Sequence, residues 1–65
     1  MLSLGKKLKE LRKAENLTQQ QVADKLNINR VNYNRYENDV ARPDYETLIR
    51  IAEVFGVTLD EMLRD

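Results

Sequence analysis

Residues 18–37 read TQQQVADKLNINRVNYNRYE, and this stretch decides the fold. Thr18 can cap a helix, and Gln21, three residues on, completes a capping box. Val22, Ala23 and Leu26 follow at the three- and four-residue spacing of one buried helical face. Asn27-Ile28-Asn29 interrupts that spacing, and Asn29 can cap a second helix. The second helix puts Tyr33, Tyr36 and Glu37 on one side and Val31, Asn34, Arg35 and Asn38 on the other. The stretch predicts two short helices joined by a tight turn. The second is held from behind by apolar groups and offers amides and a guanidinium outward, a surface suited to a DNA major groove.

Upstream, Ser3 is the expected cap of a first helix, although Lys6 stands where a capping box needs Glu or Gln. Leu4, Leu8 and Leu11 form an amphipathic stripe, with Lys6, Lys7, Lys9 and Lys13 opposite. Asn16 can take the left-handed conformation that ends a helix. Downstream, a helix runs from Asp44 to about Phe55 on a stripe of Leu48, Ile51, Ala52 and Phe55, with Gly56 as its stop. A last short helix, Leu59–Leu63, starts at Thr58 with Glu61 completing a second capping box.

Around each of four caps the residue before and the residue four after are apolar: Leu17 with Val22, Ile28 with Tyr33, Pro43 with Leu48, Val57 with Met62. These are hydrophobic staples, which set the angle of entry into a helix. The expectation is an all-α, five-helix single domain over residues 1–65. Its predicted core is Leu4, Leu8, Leu11, Leu17, Val22, Ala23, Leu26, Ile28, Tyr33, Leu48, Ile51, Ala52, Phe55, Val57, Leu59, Met62 and Leu63.

Composition narrows the function. The chain has 65 residues, no cysteine and no histidine. Disulfides are therefore excluded and the usual zinc ligands are missing. The commonest general base and the thiol nucleophile are missing too, so an enzyme is not expected. No apolar run approaches the roughly 18 residues of a membrane span. Met1-Leu2-Ser3-Leu4 leads straight into a charged helix without a leader pattern, so a cytoplasmic protein is expected. No cofactor or small-molecule site suggests itself. Net charge is zero, yet residues 1–43 carry nine Lys/Arg against five Asp/Glu, and residues 44–65 carry two against six. The outward-facing helix lies in the basic part.

At LTQQQVADKL (17–26), NRYEN (34–38) and PDYETLIRIAEVFGVTLDEML (43–63), the chain resembles the lambda-repressor-like helix-turn-helix domains. These are phage repressors and Cro proteins, and bacterial regulators of the xenobiotic-response-element type. The resemblance spans about Leu4 to Leu63, through Leu8-x-x-Leu11-Arg12, Leu17-Thr18-Gln19, Arg35-Tyr36-Glu37, Pro43 and Gly56-Val57-Thr58-Leu59. It implies a homodimeric, sequence-specific binder of double-stranded DNA, usually a transcriptional repressor on a palindromic operator, in a bacterial or phage setting. Helix 3 would lie in the major groove. Arg30, Val31, Asn32 and Arg35 would face bases; by the chemistry of its amide, Asn32 or Asn34 could read adenine N6/N7. Thr18, Gln19, Asn38 and Arg42 would hold phosphates, Gln19 also bracing helix 3. Arg12 and Glu37 would tie helix 1 to helix 3.

Physical chemistry supports these roles. Arg30 is planar and bidentate, matching guanine O6/N7, a pairing that gives about 1–3 kcal/mol of discrimination. Gln19 opens a helix, where the dipole and free N–H groups favour a phosphate. The chain departs from the family's pattern in three places. Asn16, Asn27 and Asp39 stand where glycine is frequent, Tyr33 replaces a smaller aliphatic residue, and Val40-Ala41 replaces an often basic loop. A protein-binding module of the same fold, a coactivator bridge or an antitoxin, is the alternative. The acidic C-terminal third, Tyr45 and the weak fifth helix favour it. A dimer interface is expected around Val57–Leu63.

Overall fold

The computed structural model describes residues 3–64, and the expectation placed on Met1 and Leu2 lies outside them. Five helices follow in order among the described residues: α1 (Leu4–Ala14), α2 (Gln19–Leu26), α3 (Arg30–Glu37), α4 (Tyr45–Phe55) and α5 (Leu59–Leu63). Each begins at the expected cap. The side chains of Ser3, Thr18, Asn29, Asp44 and Thr58 accept the backbone N–H three residues on. Both capping boxes close reciprocally, through Gln21 and Glu61.

The helix ends repeat one device. Asn16, Asn27, Asp39 and Gly56 all have φ between 55° and 68°, the left-handed region that asparagine and aspartate tolerate best after glycine. The next residue's N–H then reaches the carbonyl five positions back: Leu17 to Arg12, Ile28 to Ala23, Val40 to Arg35 and Val57 to Ala52, at 3.0–3.1 Å. This is the six-to-one closure of a Schellman end. Leu17, Ile28 and Val57 thus close one helix and stand immediately before the cap of the next.

α3 packs between α1 and α2, α4 covers α2, and α5 sits against α1 and α4. The core is Leu8, Val22, Ala23, Leu26, Tyr33, Ile51, Ala52, Phe55 and Met62, with Leu4, Leu11, Leu17, Ile28, Tyr36, Leu48, Val54, Val57 and Leu59 packed around it. Tyr36 packs there as its place on the inward side of α3 predicts, and Val54 joins beyond the sequence expectation. Leu63 does not: it is 53 % exposed. α5 is five residues long and turns Met62 inward, so Leu63 falls about 100° further round the helix, at its last residue, where nothing covers it.

Two contacts across the bundle carry no local sequence signal. α1 and α3 meet at Gly5, where a Cβ would lie 2.3 Å from the Glu37 carbonyl oxygen. Only glycine permits that approach. The Gly5 N–H donates to Asp39 Oδ1 at 2.9 Å, so a carboxylate just past α3 satisfies the positive start of α1. The Ser3 hydroxyl and the Gly5 amide hold the Asp39 carboxyl below its usual range. On the other side, Arg50 of α4 donates to the Leu26 carbonyl at the end of α2.

Candidate nucleic-acid interface

α3 has one inward and one outward face, as its sequence predicts. Tyr33 and Glu37 are buried, and Tyr36 is half-buried. Arg30, Val31, Asn32 and Arg35 are exposed, Val31 to 60 %. Val31 lies one turn before Arg35 on this exposed face. Asn29 caps the helix start through Asn32 N at 2.8 Å, which leaves the side chains of Arg30, Val31 and Asn32 directed off the first turn.

Behind this face stands a buried ion pair. Arg12 Nε donates to Glu37 Oε2 at 2.6 Å and Arg12 Nη2 to Oε1 at 3.1 Å. Arg12 Nη1 donates to the Leu17 carbonyl at 3.0 Å. One guanidinium thus joins the end of α1, the turn before α2 and the end of α3. The pair expected from sequence is present, and the contact to Leu17 adds to it. Burial acts to raise the Glu37 carboxyl, but the groups around it, the Arg12 guanidinium foremost, outweigh burial and hold the carboxyl below its usual range. The hydrogen bond to Glu37 raises the Arg12 guanidinium. Tyr33 lies beside this pair, yet its buried hydroxyl has no hydrogen-bond partner among the described residues. Burial, with the Glu37 charge alongside, pushes that hydroxyl well above the ordinary phenol range.

The brace expected of Gln19 is also present. Its Nε2 donates to Glu37 Oε1 at 3.0 Å, and its Oε1 accepts from Asn34 Nδ2 at 3.1 Å. Asn34 Oδ1 in turn accepts from Asn38 Nδ2 at 3.0 Å. Asn34, expected among the base readers, is therefore half-buried and engaged at both ends of its amide. The sequence shows the i, i+4 relation of Asn34 and Asn38. It does not show that Gln19 comes up against them, because that depends on how α2 lies on α3.

The N-terminus of α2 lies beside these amides. Thr18 Oγ1 is occupied by Gln21 N at 3.1 Å, while the backbone N–H groups of Gln19 and Gln20 take no partner among the described residues. Arg42 is exposed in the loop before α4. No group of acidic residues that could hold a metal occurs among the described residues, and none of the described helices is long and apolar enough to cross a membrane.

Residues 8–62 match the helix-turn-helix family. The chain is 42 % identical over 62 residues to the HTH-type transcriptional regulator ImmR of Bacillus subtilis, covering 95 % of this chain and 49 % of that protein. It is 34 % identical over 61 residues to the cryptic phage CTXphi transcriptional repressor RstR of Vibrio cholerae, covering 94 % and 54 %. A crystal structure of a transcriptional regulator from Listeria innocua superposes with a TM-score of 0.85 at 32 % identity, over 92 % of this chain and 56 % of that one. The chain thus spans about half the length of these relatives.

Proposed function

Because the chain belongs to the helix-turn-helix family of the Cro/C1 type, we propose that it is a sequence-specific double-stranded DNA-binding transcriptional regulator, acting as a repressor. The observation that carries this reading is the two-sided character of α3. Tyr33 and the Arg12–Glu37 pair hold it rigidly from within, and Arg30, Val31, Asn32 and Arg35 stand exposed on its other side. A rigid helix with exposed, unengaged bidentate and apolar groups suits readout of base edges in a major groove.

In this reading Arg30 takes guanine, Asn32 takes adenine and Val31 meets a thymine methyl. Arg35, one turn on from Val31, reads a further base edge. Thr18, Gln19, Asn38 and Arg42 hold phosphates and set the register. The protein works as a homodimer on a palindromic site, in the cytoplasm of a bacterium. One such domain buries only about 600–1,000 Å² on DNA, too little for tight specific binding alone. The dimer forms along α5, where Leu63 is exposed and a cleft of about 120 Å³ between α1 and α5 is lined by Lys7, Leu11, Val57, Glu61 and Met62.

The test is selection from a random duplex pool at about 150 mM salt, where non-specific phosphate binding is already weakened. Recovery of a palindrome with half-site centres about 34 Å apart is expected. Arg30→Ala should then lose about 1–3 kcal/mol on the selected site and relax preference at one base. Enrichment of no sequence, with stoichiometric capture of a protein instead, would assign the fold to protein binding.

A further inference from the structure

The hydrogen bonds among Gln19, Asn34, Asn38 and Glu37 all run in one direction. Asn38 Nδ2 donates to Asn34 Oδ1, Asn34 Nδ2 to Gln19 Oε1, and Gln19 Nε2 to Glu37 Oε1, at 3.0, 3.1 and 3.0 Å. An amide side chain can point either way, because it carries both a donor and an acceptor. An ionised carboxylate can only accept. Glu37 is buried, and Arg12 holds it in the ionised form through two bonds. Gln19 must therefore present its nitrogen to Glu37, which turns its oxygen toward Asn34. Asn34 must then present its nitrogen, which turns its own oxygen toward Asn38. One buried charge sets the orientation of three successive amides.

Each NH₂ group has two hydrogens, and in each only one is used. The second hydrogen of Gln19, Asn34 and Asn38 has no partner among the described residues, and planar geometry aims it away from the first acceptor. The acceptor oxygens of Gln19 and Asn34 are turned into the chain, so the outer edge offers N–H groups. It lies beside the unpartnered backbone N–H groups of Gln19 and Gln20 at the start of α2. Cooperativity strengthens the bonds along the row and so fixes its direction, and the N–H edge left free fits one kind of ligand, an anionic oxygen.

We propose that Glu37 is a positioning residue for phosphate contact: through Gln19 it aligns the amides of Asn34 and Asn38 so that all three offer N–H to the DNA backbone. This rests on the DNA-binding reading above, and it moves Asn34 from base reading to phosphate holding. A buried acid on the DNA-facing helix thereby assists the binding of a polyanion.

The sign of one substitution separates this role from a purely electrostatic one, and a second variant separates it from the structural tie between α1 and α3. Glu37→Gln removes a negative charge near the DNA, so simple electrostatics predicts tighter binding to random duplex. A glutamine there can donate as well as accept, so the amides lose their common direction. Folded Glu37→Gln is therefore expected to bind random duplex about three- to tenfold more weakly than the wild type, the scale of one or two lost hydrogen bonds. Asn34→Ala leaves the Arg12–Glu37 pair intact and keeps the test decisive should Glu37→Gln fail to fold. It is expected to weaken selected and random duplex by the same factor. The slope of log K against log salt should not change, since an amide neutralises no phosphate.

The measurement is fluorescence anisotropy of labelled duplex at about 50 mM salt, where non-specific binding is strong, with folding checked by circular dichroism. Glu37→Gln binding random duplex as tightly as the wild type or tighter, or Asn34→Ala losing affinity only on the selected site, would overturn the inference alone. Wild-type protein that retains no duplex of either kind would overturn the DNA reading and this inference together.

Discussion

At the scale of single residues, the chain holds two positions where one atom decides the energy. Tyr33 buries a hydroxyl that finds no partner. An unsatisfied buried hydroxyl costs about 1–3 kcal/mol, and removing it leaves a ring of nearly the same volume. Tyr33→Phe is therefore expected to be neutral or to stabilise by about 1 kcal/mol, measured as the urea midpoint. A loss above that size would mean that the hydroxyl does bond to Glu37 in solution. Gly5 is the opposite case. In an open helix Gly→Ala would gain about 1 kcal/mol, but here the added methyl meets backbone, the Glu37 carbonyl oxygen at 2.3 Å. Backbone cannot step aside as a side chain can, so Gly5→Ala should cost about 1–3 kcal/mol net. Thermal unfolding would show whether the midpoint falls.

At the scale of helices, three of the connections follow one three-residue plan: a left-handed residue, an apolar residue and a cap. They are Asn16-Leu17-Thr18, Asn27-Ile28-Asn29 and Gly56-Val57-Thr58. The first residue ends one helix, the last starts another, and the apolar residue between them packs on the core. This is how helices of eight and five residues persist, since helices this short are marginal alone. The plan predicts an ordering at Asn27, where φ is 58°. Glycine there should raise stability and alanine should lower it by about 1 kcal/mol. Should both variants unfold at the same denaturant concentration, left-handed geometry would not be limiting at that turn.

At the scale of the molecule, stability depends on pH through carboxylates that the fold keeps ionised. Glu37, Asp39, Asp44 and Glu61 are all held below their usual ranges. For Glu37 burial works the other way and is outweighed by the groups around the carboxyl, the Arg12 guanidinium foremost. For Asp44 and Glu61 the cause is the cap contact with Thr47 and with Thr58. A depressed native pKa means that the unfolded chain binds more protons, so stability rises with pH through that window. The contribution is complete above the ordinary carboxylate range of about 4 and is lost as pH falls through the depressed native values. Glu37→Gln should be less stable than the wild type at neutral pH, with the gap closing below about pH 4. A gap constant with pH, followed by circular dichroism, would remove Glu37 from the acid response. The margin for such losses is small, since a single core of this size rarely supplies more than about 3–5 kcal/mol.

The helices, their caps and their stops were legible in the sequence because each is settled within about five residues. Thr18 finds Gln21, Asn29 finds Asn32, and Asn27 lets Ile28 close on Ala23. Those partners sit at fixed distances along the chain whatever the tertiary fold does. The outward set Arg30, Val31, Asn32 and Arg35 was legible for the same reason, as the face opposite Tyr33 and Glu37. Leu63 was misplaced because period alone cannot say where a five-residue helix stops being covered. The contacts that escaped such local reading join residues far apart in the chain: Gly5 against Glu37 and Asp39, Arg50 on Leu26, and Gln19 between Glu37 and Asn34. Local periodicity names the face that each residue occupies. How closely two helices approach, and which polar atoms then meet, is set by packing volume and crossing geometry, which no single helix contains.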